Sequence, residues 1–102
     1  MTELIDYQNF IANAFVASEQ HIEVRNPANA RLLARVPQAS EEQVEAAITA
    51  ARRAQKGWAA RPAIERAGYL RKIATKVRDN AERLAHIITA EQGKVLSLAR
   101  VE

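Results

Sequence analysis

Glu91-Gln92-Gly93-Lys94 sits where one apolar pattern ends and another begins. Gly93 suits the left-handed residue that closes a helix, and Lys94 complements the negative end of that helix's dipole. The helix it closes buries Leu84, Ile87 and Ile88 and starts after Asp79-Asn80, either of which can cap it. Before it lies a second helix with Pro62 in its first turn and a stripe of Ile64, Ala67, Leu70, Ile73, Ala74 and Val77. Earlier still, Ser40-x-x-Gln43 is a capping box, and Glu41 and Glu42 suit the positive end of a helix. That first helix carries Val44, Ala47, Ile48, Ala51, Ala54 and Trp58 on one face, with Gly57 near its end as a stop. Trp58 completes the stripe and reads as a core anchor. Beyond Lys94, residues 95–102 have helical composition with no terminator, the pattern expected of a truncated element.

Residues 8–36 have a different period. Phe10 to Val16 is apolar and partly alternating, Ser18-Glu19-Gln20 interrupts it, and His21-Ile22-Glu23-Val24 alternates cleanly. These two runs are expected to pair as a hairpin. Asn26-Pro27 ends the second strand, because proline fixes its own φ and pushes the preceding residue toward extended backbone. A short strand then runs from Arg31 to Val36 and is closed by Pro37.

The chain's 102 residues allow one small domain. Its 48% hydrophobic content includes twenty-one alanines, which favour helix but bury little area. Only Tyr7, Phe10, Phe15, Trp58 and Tyr69 are aromatic. Low intrinsic stability follows unless the alanine-rich faces dock on something else. Residues 1–24 hold Glu3, Asp6, Glu19 and Glu23 without a lysine or arginine, so the remainder, with fifteen bases and eight acids, carries +7. Those bases lie opposite the apolar stripes, as on a solvated face, and no nucleic-acid reading motif accompanies them. Nucleic acid is therefore not an expected partner. The absence of cysteine excludes a disulfide or a cysteine nucleophile within the chain. No apolar run reaches the ~20 residues that would span a membrane, and the acidic start lacks the basic region of a secretory signal. A cytoplasmic location is the expectation. His21 and His86 stand outside any ligand-spaced motif and read as structural. Ser18, Ser40 and Ser97 lack the context of a nucleophile elbow.

The ordered set Asn26-Pro27, Trp58, Glu65-Arg66, Leu70-Arg71-Lys72-Ile73-Ala74 and Glu91-x-Gly93-Lys94 resembles the amino-terminal quarter of an NAD(P)-dependent aldehyde dehydrogenase. Each motif is weak alone, but their order and spacing extend the match from about residue 8 to residue 102. Pro62 to Ala67 and Leu70 to Ile73 look most like the bacterial lactaldehyde/glycolaldehyde branch. The resemblance implies an α/β enzyme, of which residues 1–102 form an N-terminal segment. Within it, 8–36 is the hairpin and strand region adjoining the oligomerisation region. Residues 40–102 form three helices and the start of a fourth, at the periphery of the cofactor-binding domain.

The same resemblance implies oxidation of a small aldehyde to its acid through a cysteine thiohemiacetal, with NAD or NADP as hydride acceptor, in a homo-oligomer. The positions matching the cysteine, the general base and the cofactor turn lie beyond Glu102, so no catalytic or cofactor-binding residue is assigned and the chain alone should be inactive. It also implies a monovalent cation, Na+ or K+, on the carbonyl oxygens of Val24 and Arg25 and the carboxylate of Glu91. The competing reading of the residues is a non-catalytic helical module whose alanine-rich stripes pack on a partner protein.

Overall fold

A computed structural model describes residues 4–102. The first strands form two small sheets. β1 (Ile5–Asp6) runs parallel to β5 (Leu32–Gln38), whose other edge pairs antiparallel with β4 (Gln20–Arg25), giving the order β1-β5-β4. β2 (Asn9–Ile11) and β3 (Ala14–Val16) form a separate antiparallel pair.

The hairpin expected between the 10–16 run and the 21–24 run does not form. Ala12 and Asn13 take φ values of 50° and 68°, so the chain reverses between them and Phe10 pairs with Phe15. Two consecutive positive φ angles match the twist of a two-residue hairpin turn, and asparagine tolerates them better than most residues. Strand β4 pairs instead with β5, setting Ile22 opposite Val36 and Val24 opposite Ala34. Pro37 lies inside β5, opposite His21, and does not close it. β1 covers β5 only at Ala34 and Arg35, so at Pro37 the strand has a free edge, where a missing N–H is tolerated.

Helix α1 (Glu41–Ala60) opens with the anticipated reciprocal cap: Gln43 N–H donates to Ser40 Oγ, and Ser40 N–H donates to Gln43 Oε1. It continues through Gly57 and stops at Arg61, which is extended (φ −69°, ψ 146°) because Pro62 follows. The proline, and not the glycine, is the terminator. Helix α2 (Ala63–Asp79) starts behind Pro62. Asn80 ends α2 and precedes α3 (Ala81–Gln92), but its side-chain amide turns back to donate to the Lys76 carbonyl at 2.8 Å and does not cap α3. Gly93 closes α3 with φ 75°, and helix α4 (Leu96–Val101) follows.

Ala34, Ala85 and Ala99 are the buried hydrophobic residues among those described. Helices α3 and α4 each bury one of these alanines, and two Arg100–Glu82 hydrogen bonds of 2.8 and 3.3 Å fasten the pair. The apolar stripes of α1 and α2 stay open: Val44, Ile48, Ile64, Leu70, Ile73 and Val77 are all exposed. Trp58, expected as a core anchor, is 39% exposed and rests edge-on against Tyr69 with ring centroids 5.5 Å apart. The accessible surface is 8524 Å2, against about 5,700 Å2 for a folded monomer of this mass. The radius of gyration, 17.2 Å, likewise exceeds the ~13 Å of a compact domain of this length. The sequence forms helices whose apolar faces the described residues do not cover.

Candidate functional site

The Asn26-Pro27 turn and the Glu91–Lys94 turn, sixty-odd residues apart in sequence, meet in space. A methyl group added to Gly93 would come within 3.2 Å of Pro27 Cγ. Local chemistry builds each side. On the first side, a bulge between Val24 and Arg25 ends the regular pairing of β4. Asn26 then folds the chain over: its Oδ1 accepts from Ala28 N–H at 2.9 Å, its carbonyl from Ala30 N–H at 2.7 Å, and its own N–H donates to the Arg31 carbonyl at 2.9 Å. Asparagine suits such a turn because its side chain can stand in for a backbone acceptor. On the second side, Gly93 N–H donates to the Thr89 carbonyl at 2.9 Å as α3 ends.

The predicted cation ligands therefore belong to segments that converge: Val24 and Arg25 at the bulge, and Glu91 in the last turn of α3. Glu91 stands at the negative end of its helix, where a carboxylate is disfavoured by about 0.3–1 kcal/mol unless a cation balances it. Arg25 and Lys94, the side-chain cations beside the two turns, are engaged elsewhere, while Arg83 lines the same cleft as Glu91. Arg25 donates to Glu23 Oε2 at 2.7 Å and to the Ala30 carbonyl at 3.1 Å, and Lys94 pairs with Glu102. Glu91 enters no ion pair among the described residues. Carbonyl and carboxylate oxygens at a negative helix end are hard donors, and that donor set fits a small hard cation. Glu91 also borders a cleft of about 350 Å3 between β5 and α3, floored by Ile5, Leu33 and Ile87.

Other polar groups have structural partners. His86 Nδ1 lies 2.8 Å from the Glu82 carbonyl oxygen, and His21 is exposed on β4. The Arg100 guanidinium holds the Glu82 carboxyl below its ordinary pKa, through its hydrogen bonds first and its charge second. Arg66 donates from Nε to the Arg61 carbonyl at 3.3 Å, tying the corner between α1 and α2. No group of three or more His, Cys, Asp or Glu capable of holding a metal occurs among the described residues.

Gln43 caps α1 and also anchors the β2–β3 pair: its Oε1 accepts from Ser18 Oγ at 2.8 Å and its Nε2 donates to the Ala17 carbonyl at 2.8 Å. Asn9 extends the network by donating to Ser18 Oγ at 3.2 Å. Capping-box spacing announces the first role of Gln43, but no local pattern announces a partner twenty-five residues away.

The aldehyde dehydrogenase family model matches residues 15–102. The chain belongs to the aldehyde dehydrogenase family. It is 39% identical to lactaldehyde dehydrogenase of Escherichia coli over 104 aligned residues, covering 100% of the chain and 22% of that enzyme. A crystal structure of the Escherichia coli enzyme superposes with a TM-score of 0.92 at 39% identity, over 97% of the chain and 21% of the enzyme. The 3,6-anhydro-alpha-L-galactose dehydrogenase of Streptomyces coelicolor is 39% identical over 110 aligned residues, 98% of the chain and 22% of that protein. A structure of 3,6-anhydro-L-galactose dehydrogenase in complex with NAP matches with a TM-score of 0.90 and 36% identity, over 94% of the chain and 20% of that protein. The chain thus spans about a fifth of the length of these aldehyde dehydrogenases. No helix among the described residues is long and apolar enough to cross a membrane.

Proposed function

We propose that these residues are the N-terminal segment of an enzyme that oxidises a small aldehyde to its carboxylic acid, with lactaldehyde or glycolaldehyde as the leading substrates. The observation that carries this reading is the 39% identity to lactaldehyde dehydrogenase along the whole chain, together with a TM-score of 0.92 to its crystal structure. NAD or NADP supplies the hydride acceptor in the complete protein. The cysteine that would form a thiohemiacetal, and the base that would activate water to release the acid, fall outside these residues, since the chain contains no cysteine. The contribution of this segment is architectural: residues 8–36 adjoin the oligomerisation region, and residues 40–102 form the edge of the cofactor-binding domain. By itself the 102-residue chain is inactive. The complete enzyme is a cytoplasmic homo-oligomer.

Within that framework, the Val24 and Arg25 carbonyls and the Glu91 carboxylate hold Na+ or K+, pinning the end of α3 to the bulged end of β4. Convergence of the two turns at Pro27 and Gly93 supports this reading, as does the absence of another ionic partner for Glu91 among the described residues.

The test is steady-state nicotinamide reduction by the purified complete protein. Lactaldehyde and glycolaldehyde are set against succinate semialdehyde and betaine aldehyde, each with NAD and with NADP. A kcat/KM at least tenfold higher for the first two establishes the substrate class. Preference for either of the others retains the chemistry and replaces the substrate. No turnover with any aldehyde overturns the proposal.

A further inference from the structure

We draw no further inference here: the strongest candidate, the apolar cleft between strand β5 and helix α3 floored by Ile5, Leu33 and Ile87 and rimmed by Arg83 and His86, is an unpartnered face, and nothing in the structure shows what covers it.

Discussion

Replacing Gly93 by alanine tests the junction of the two turns directly. Gly93 sits at φ 75°, where a side chain costs about 1–2 kcal/mol. Alanine recovers about 0.4–1 kcal/mol by restricting the unfolded chain, so the backbone effect alone nets about 1 kcal/mol of destabilisation. The new methyl would also meet Pro27 Cγ at 3.2 Å, several tenths of an ångström inside ordinary carbon–carbon contact. Relief of that crowding by a shift of either turn adds a coupling of about 0.5 kcal/mol or more, within the range for contacting residues. The expected total for Gly93→Ala is about 1.5–2 kcal/mol. In the Pro27→Ala background the same change should cost only the backbone part, about 1 kcal/mol. The assay is urea denaturation of the complete protein, completed as a double-mutant cycle. Gly93→Asn supplies a control that keeps a Cβ but tolerates left-handed backbone better. A neutral or stabilising Gly93→Ala would refute the left-handed cap, and an unchanged cost in the Pro27→Ala background would refute the contact between the turns.

Three further outcomes follow from the geometry. Gln43→Ala removes both an N-terminal cap partner and the anchor of the β2–β3 pair, so a loss of about 1–2 kcal/mol is expected. Amide exchange should quicken around residues 9–18 as well as in the first turn of α1, whereas protection lost in α1 alone would exclude the anchoring role. Arg100→Met should return the Glu82 carboxyl toward its ordinary pKa, followed by NMR titration. Since Glu82 has the lower pKa in the folded state, the pair stabilises fully above the unfolded value of about 4.3 and fades as pH falls through the folded one. The variant should therefore flatten the acid limb of stability, and an unaltered limb would show that the clasp contributes nothing. For the cation, KCl or NaCl should raise the melting temperature of the complete protein above that in choline chloride of equal ionic strength, and Glu91→Gln should abolish the difference. Equal melting in all three salts removes the site.

The helices were readable because their signals are local. Ser40 and Gln43 are three residues apart, Gly93 directly follows the turn it closes, and both ends form as their spacing predicts. Strand pairing was not readable in the same way. Phe10 to Val16 has the composition of one strand, and only the positive φ of Ala12 and Asn13 reveals that it is two. The alternation in 21–24 identifies a strand but carries no information about its partner, which β5 supplies from beyond a six-residue turn. Trp58 shows a further limit of periodicity: helical spacing names the face that wants burial, while burial itself depends on what lies opposite. At the candidate cation site, no local pattern links Asn26-Pro27 to Glu91-x-Gly93. Only the fold brings the two turns side by side.

The three buried alanines invert the usual ranking of mutational sensitivity. In most domains the bulkiest apolar residues tolerate change least, because truncating them leaves a cavity. Here Ile64 and Leu70 already face open space, so shortening them removes little from the packing among residues 4–102. Ala85 and Ala99 instead are almost fully buried, so an added carbon at either must displace whatever packs around it. Ala99 directly precedes Arg100 and Ala85 lies one helical turn beyond Glu82, so enlargement at either alanine would also disturb the Arg100–Glu82 pair and be registered electrostatically on the surface. In this segment, tolerance is governed by bulk that is absent.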